Sequence, residues 1–383
     1  MIDVVEYIKP QSFFVEAHIA DIHFGVIDPN TTYNILKAQF LNYLYSMNVL
    51  DIVSINGDLF DHKFMTSSES VMVANIFIQD LVNICKMKNA TLILITGTGA
   101  HDADQLKMYY YLTRLRDVDV RVVQQAEFIY VKGKRILCIP EMYNMGADYY
   151  NNLLHFSGIY DACYMHGTFK GAIFGKNEHD LGSKREPVFD INDFSTCRGP
   201  VISGHNHTRS TYDTDFFYCG SPIRWSFNDE AAKGFLILLQ DISTHKYQIH
   251  FEPITSFRYD TINLDNMLNT DPNTIIQYIT KVKEAGIDHL RVMFTINDAE
   301  KITILKNYFR YIKGINIETS FENQKIEEHL MEMDSKLRDE RAYLFDENLS
   351  PEQKLIQYMN MHNDSVFWTV DEFKSFMEKI QRL

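Results

Sequence analysis

Five short clusters of aspartate and histidine, each beside an apolar, β-rich run, constrain this chain more than any other feature. They are Asp21-Ile22-His23, Asn56-Gly57-Asp58, Gly99-Ala100-His101-Asp102, Met165-His166-Gly167 and Gly204-His205-Asn206-His207. Side chains alternate along an extended strand, so Asp21 and His23 point the same way and can hold one ion. Gly57 permits a tight turn, after which Asp58 leaves the sheet end with a free carboxylate. One such piece is weak, because an isolated D-x-H occurs often by chance. Five in order, each at a strand end, point to a binuclear metal site.

The runs between the clusters define the fold class. Phe13 to Ile19, Asp51 to Ile55, Thr91 to Ile95, Tyr160 to Met165, Gly199 to Ile202, Phe216 to Tyr218, Gly234 to Gln240 and Lys246 to Phe251 read as strands. Phe128 to Val131 and Arg135 to Ile139 read as a hairpin around Lys132-Gly133-Lys134. Helical spacing covers Tyr33 to Met47, Ser70 to Lys86 and Asp104 to Leu115. This order predicts an α/β sandwich, mixed rather than purely parallel because its second half is strand-rich. Residues 1–254 form the expected main domain. A small α+β unit follows at 255–321, where Leu290, Val292 and Phe294 alternate and Ile302, Leu305 and Phe309 share a helical face. From 322 to 383 the chain reads as a helical tail, charged at first and then carrying two apolar clusters, one around Leu355 and one from Phe367 to Ile380.

Composition limits the function classes. Hydrophobic residues are 45% of the 383, enough for a sizeable core. No continuous apolar run is long enough to cross a bilayer, and the start, MIDVVEYIKPQ, lacks a basic-then-apolar signal segment. The expected location is therefore the cytoplasm. Cys85, Cys138, Cys163, Cys197 and Cys219 are odd in number and show no CxxC spacing, so they read as small buried hydrophobes. A net charge of -14 argues against holding DNA through a broad basic surface. Bound divalent cations would instead supply positive charge where a phosphate sits.

The residue types fit phosphoester hydrolysis. That reaction needs hydroxide at neutral pH and a way to spread charge over phosphoryl oxygens. Two ions about 3.5–4 Å apart achieve both, and a carboxylate can bridge them. Mixed carboxylate and imidazole ligands suit manganese, iron or zinc. A histidine outside the coordination shell can contact the phosphate or protonate the leaving oxygen.

The order D-x-H, GD, G-x-HD, H-G and G-H-x-H resembles the calcineurin-like metallophosphoesterase superfamily across roughly the first 210 residues. Gly57-Asp58-Leu59-Phe60-Asp61 and Cys219-Gly220-Ser221-Pro222-Ile223-Arg224-Trp225-Ser226-Phe227 are similar to the SbcD-type double-strand-break repair nucleases. The resemblance implies a four-layer α-β-β-α sandwich with a small capping domain. It also implies a manganese-dependent DNA exonuclease and endonuclease with two metal ions. By motif, Asp21, His23 and His207 would bind the first ion, Asp58 would bridge, and His166 and His205 would bind the second. His101 would be the catalytic histidine, with Asp102 orienting it. Implied partners are DNA ends, a second copy of the chain, and an SbcC-type ATPase docked on the helical tail. A small-molecule or protein phosphatase of the same superfamily and a weakly catalytic DNA-end-binding subunit are the alternatives.

One position departs from the pattern. The family has Asn before the His-Asp pair, whose oxygen binds the second ion, and this chain has Ala100. Three explanations are open. Thr98 supplies an oxygen or holds a water; the second ion binds weakly and depends on supplied manganese; or the residue was changed to disable the enzyme.

Other residues carry two readings each. Asp61 and His62 either steer phosphate or are a helix-start carboxylate and a surface imidazole. Arg224 and Trp225 either contact substrate or pack beside the site. Lys170, Lys176, Lys184 and Arg185, in the polar loop Phe169 to Pro187, either touch DNA or are solvated. The helices at 33–47 and 70–86 are mostly core, and the resemblance adds a dimer interface. Deletion of residues 347–383 is predicted to abolish binding of the ATPase partner while sparing manganese-dependent activity on single strands. Unchanged complex formation in a pull-down would refute the assignment.

Overall fold

A computed structural model of the chain describes residues 12–319 apart from gaps at 103, 144, 146, 156–157, 175–176, 179–187, 228, 230–231, 296–297, 311 and 313; beyond these it describes Gln353. The expected tail at 322–383, Gln353 apart, lies outside the described residues, as do Lys176, Lys184 and Arg185.

The chain opens with β1 (Phe13–Ile19) and α1 (Pro29–Leu36), which runs through a π-helical turn (Lys37–Leu41) into α2 (Asn42–Ser46). Next come β2 (Ile52–Asn56), α3 (Glu69–Lys88), β3 (Thr91–Ile95), a 3-10 helix (Gln105–Arg114) and β4 (Asp119–Val123). The hairpin β5 (Glu127–Val131) and β6 (Lys134–Ile139) precedes α4 (Ala147–His155) and β7 (Ala162–His166). Four two-residue strands follow: β8 (Thr168–Phe169), β9 (Ile173–Phe174), β10 (Asn177–Glu178) and β11 (Val188–Phe189). Then come β12 (Val201–Gly204), β13 (Ser210–Asp213), β14 (Phe216–Tyr218), β15 (Gly234–Asp241) and β16 (Lys246–Pro253). The last elements are β17 (Tyr259–Asn263), α5 (Pro272–Glu284), β18 (His289–Phe294), α6 (Ala299–Phe309) and β19 (Ile315–Thr319).

Two six-stranded sheets result, in orders β16-β15-β1-β2-β3-β4 and β13-β14-β12-β7-β6-β5. In the first, β1 to β4 run parallel, and β15 pairs antiparallel with both β1 and β16. In the second, β14, β12, β7 and β6 are parallel and the edges β13 and β5 antiparallel. The fold is thus mixed α/β, as the strand-rich second half predicts. Strands β2 and β3 are buried at every position, which is why Ile52–Asn56 and Thr91–Ile95 read as near-continuous apolar runs.

Three apolar clusters hold these layers. One joins α1, α2 and α3 to the first sheet through Leu36, Phe40, Leu44, Phe77 and Leu81. A second lies between the sheets, with Phe14, Ile52 and Ile93 facing Ile136, Tyr164 and Ile202. The third packs Tyr150 and Leu154 of α4 on the second sheet. Helix α3 is capped by the Ser68 side chain, which accepts from Val71 N, and ends at Asn89 in the left-handed region. By length and composition α3 alone among the described helices would cross a membrane, yet ten of its residues are buried in the core. All five cysteines are free; four are buried and Cys197 is half-buried.

Several elements differ from expectation. Asp28 caps α1 and Pro29 starts it, so the first helix begins before Tyr33. The segment expected as a helix from Asp104 is a 3-10 helix. Strand β4 and helix α4 carry charged or polar residues that break the apolar pattern, and the sequence reading passes over both.

The described chain divides into two compact units, one up to Asp260 together with Ala285–His289, the other Thr261–Glu284 together with Leu290 onward. The second has a three-stranded sheet, β17-β18-β19. Leu290, Val292 and Phe294 are buried there, as their alternation predicts.

A buried ion pair crosses between the two large sheets. Lys134 on β6 donates to Glu16 on β1, and to Tyr164 Oη at 2.8 Å, while Tyr164 Oη donates to Glu16. The Glu16 and Lys134 side chains are fully buried. Burial pushes the Glu16 carboxyl up, but Lys134 and His18 outweigh it and hold it at about 2. A depressed carboxyl stabilises the fold fully above its ordinary pKa, and the contribution is lost as pH falls from about 4.5 towards about 2. Lys134→Met is predicted to cost about 3–5 kcal/mol by chemical denaturation, since it strands a buried charge, whereas E16L/K134M recovers most of the loss. Equal stability in the single variant and wild type would remove this pair from the account.

Candidate metal centre

Parallel pairing explains why the five clusters meet. Asp21 and His23 follow β1, Asp58 follows β2 and His101 follows β3, all at the same end of the first sheet. His166 closes β7, and His205 and His207 follow β12, at the corresponding end of the second. Ligands in such folds collect outside the carboxyl ends of parallel strands. The loops behind β1 and β2 are tied together by Asp21 N to Gly57 O (3.1 Å), His23 N to Asp58 O (3.0 Å) and Phe24 N to Leu59 O (2.9 Å).

The donor atoms converge. His23 Nε2 lies 3.1 Å from His207 Nε2 and 3.6 Å from Asp58 Oδ2. On the other side of Asp58, His166 Nε2 stands 3.3 Å from the same oxygen. Four overlapping sets each place their donor atoms within 4.8 Å of one another: Asp21, His23 and His207; His23, Asp58 and His101; Asp21, Asp58 and His166; and Glu141, His166 and His205. Asp21, His23, Asp58 and His166 are buried. Such buried His and Asp groups can hold a metal ion.

Two features mark the pocket as fitted to a cation. Asp21 Oδ2, His23 Nδ1 and Glu141 Oε1 are buried without a hydrogen-bond partner, an arrangement proteins ordinarily avoid. In addition, Asp21, His23, Asp58 and His205 account for four of the seven non-glycine residues with positive φ among the described residues. Backbone strain of this kind persists where the surrounding structure imposes it, typically at functional sites.

Charge follows the same geometry. Burial pushes Asp58 up, but His166 above all, with His23 and His101, holds it well below the usual carboxylate range. Burial likewise opposes a charged His166, yet Asp58 outweighs it and raises His166 well above an ordinary histidine. His23 is driven down to about 3, chiefly by burial. Asp21 is raised, again chiefly by burial.

A supporting shell fixes these side chains. His166 Nδ1 meets Asn56 O at 2.8 Å, which turns Nε2 towards Asp58. A Cβ on Gly57 would collide with the His166 ring, and φ there is +87°, so glycine is required. Lys233, buried, donates to His207 O at 2.9 Å and to Ser221 Oγ at 2.8 Å. Trp225 packs edge-on against His23 and His207.

One expected contact is not made. Asp102 makes no hydrogen bond to His101; it accepts from the backbone N–H groups of Asp58 (3.0 Å), Phe60 (3.1 Å) and Gly97 (2.8 Å). The turn that brings Asp102 inward faces it to the β2 loop, and burial, then Asp58, pushes it up to about 7. His101 is oriented instead by the Asp61 carbonyl, bonded to Nδ1. Arg224 spends its guanidinium on the carbonyls of Ser226, Tyr259 and Phe227, so Trp225 is the neighbour that reaches the histidines. His62 stands exposed at the rim, bonded to Asp61.

Glu141 is the residue that the sequence reading passes over. It follows β6 by two positions, with its side chain fully buried, and its Oε2 lies 3.2 Å from His205 Nδ1 and 3.7 Å from His166 Nε2. A carboxylate just past an apolar strand is the signal that marks Asp58, but here it stands alone, without glycine or histidine beside it.

No family model matches the sequence, and no curated protein matches it. Solved structures with a match number 18 chains. One, a crystal structure, shares 9% identity at a TM-score of 0.37, covering 63% of this chain and 99% of its own; a likeness that small carries no argument.

Asp102→Ala is predicted to cost at least about 3 kcal/mol in metal-free protein, because three buried N–H groups lose their acceptor. His101→Ala should stay within about 1 kcal/mol. Equal losses in urea denaturation would contradict the division of roles.

Proposed function

We propose that this chain is a phosphodiester hydrolase that cuts DNA with two divalent ions, manganese foremost, in the manner of the SbcD-type metallophosphoesterases it resembles. The observation that carries the reading is the convergence of Asp21, His23, Asp58, His166, His205 and His207, from four separate stretches of chain, into overlapping donor sets at one end of two sheets. The three apolar clusters, helix-to-sheet, sheet-to-sheet and sheet-to-helix, support a four-layer α-β-β-α sandwich.

When bound, the ions would lower the pKa of water and offset charge on the phosphoryl oxygens. The chain's own residues do the rest. Asp58 would hold both ions: one carboxylate oxygen faces His23 and His166, and the other accepts from Thr98 N at 2.7 Å. His101, with Nδ1 committed to the Asp61 carbonyl, has Nε2 left to carry a proton to the leaving oxygen. His62 at the rim is placed to meet an adjacent phosphate. Arg224 holds the loop that carries Trp225 and so shapes the pocket wall. The same reading places the protein in the cytoplasm, as a dimer with an SbcC-type ATPase on DNA ends. Met72 and Ile76 leave exposed apolar surface on α3 for a second copy.

His101→Ala is predicted to lose linear-DNA cleavage in manganese by about 100-fold or more while keeping its metal. Asp58→Ala should lose metal and activity together. Wild-type protein that hydrolyses para-nitrophenyl phosphate and spares labelled duplex would instead mark a monoester phosphatase. Protein that binds metal but cleaves neither would be an end-binding subunit.

A further inference from the structure

Ala100 leaves the second ion one donor short of the set its relatives by motif would offer. It lies exposed in the turn after β3, and its methyl group offers no lone pair. The structure brings another oxygen to the same place from a different strand.

Resting on the metal-centre reading above, we infer that Glu141 ligates the second ion and replaces the missing asparagine oxygen. Four observations meet there. Glu141 Oε2, His166 Nε2 and His205 Nδ1 form one of the compact donor sets. The separations of 3.2 Å from Glu141 to His205 and 3.3 Å from His166 to Asp58 fall within the roughly 3.0–3.5 Å between neighbours around an ion bonded at about 2.1 Å, and the 3.7 Å from Glu141 to His166 lies just beyond it. The side chain is fully buried, and its ion-pair partners among the described residues are the two histidines of that same donor set rather than a lysine or arginine, so a bound ion would take over the charge that His166 and His205 balance in its absence. Its second oxygen, Oε1, is buried without a hydrogen-bond partner.

Thr98 is the competing donor; it stands at the same spacing, 3.5 Å from His205 Nδ1 included, but its neutral hydroxyl is a weaker ligand for a dication than a buried carboxylate. Its Oγ1 lies 3.0 Å from Glu141 Oε2, 3.3 Å from Asp58 Oδ2 and 3.3 Å from His166 Nε2. A hydroxyl has one proton to give, so it donates to one carboxylate and holds the two oxygens apart. With Glu141 in place, each ion has two carboxylates and two imidazoles: Asp21, Asp58, His23 and His207 for the first, Asp58, Glu141, His166 and His205 for the second.

The test is manganese titration of the full-length, chelator-stripped protein. Isothermal calorimetry and elemental analysis after desalting would count ions, and electron paramagnetic resonance would report a coupled pair. Wild type is expected to bind two Mn2+ per chain. Glu141→Ala should keep one and weaken the other by more than the roughly 10–100-fold that losing an outer-sphere partner costs. A100N/E141A should regain the second ion, because the amide oxygen returns from the other strand. Glu141→Leu keeps much of the volume of the side chain without a donor atom and carries the comparison if Glu141→Ala melts early by circular dichroism. Two ions at wild-type affinity in both Glu141→Ala and Glu141→Leu would overturn the assignment and leave the metal centre standing. A wild-type protein that binds no Mn2+ would overturn both.

Discussion

Carboxylates and imidazoles that crowd one dry pocket must be neutralised, and much of this structure answers that requirement. Asp21, Asp58, Asp102 and Glu141 are all buried within the same end of two sheets. In water such charges would separate; here the strand ends fix them together. Protonation offers partial relief, seen in the rise of Asp102 to about 7 and in the strongly raised His166. A bound metal ion would offer fuller relief, because it would satisfy the orphaned oxygens as well as the charge.

The shell beneath the ligands is mostly main chain. Asp102 gathers three N–H groups from the loops after β2 and β3, Asn56 turns His166 through a carbonyl, and His205 N donates to Asp21 Oδ1 at 2.9 Å. The last contact links a ligand of one sheet to the backbone of the other. Because these supports are backbone groups, their geometry is set by strand pairing and tolerates few local adjustments. That rigidity suits a site whose donor atoms must stay at a fixed spacing.

Much of the centre was legible in the sequence because the chemistry restricts residue types. Carboxylates and imidazoles are common ligands of such ions, and Asp21, His23, Asp58, His166, His205 and His207 stand in short clusters beside apolar runs. What escaped was direction and solitude. Asp102 adjoins His101 in sequence, but adjacency does not say which way a turn points its side chain. Glu141 and Lys233 lack motif neighbours, so nothing local separates them from surface charges. Lys134 reads as part of a charged hairpin turn, yet it is buried, since only its pairing partner on a distant strand makes burial tolerable. The strands themselves were readable where both faces are covered, as in β2 and β3, and unreadable where charge interrupts them, as in β4.

The Glu16–Lys134 pair has a mechanical consequence for the pocket. Half of the ligand set hangs from one sheet and half from the other, so any sideways drift of the two layers would pull the halves out of alignment. Oily side chains alone would resist such sliding only weakly, since one apolar neighbour substitutes for another. A single cation and anion sealed between the layers behave as a dowel: displaced by one residue, each would face hydrocarbon.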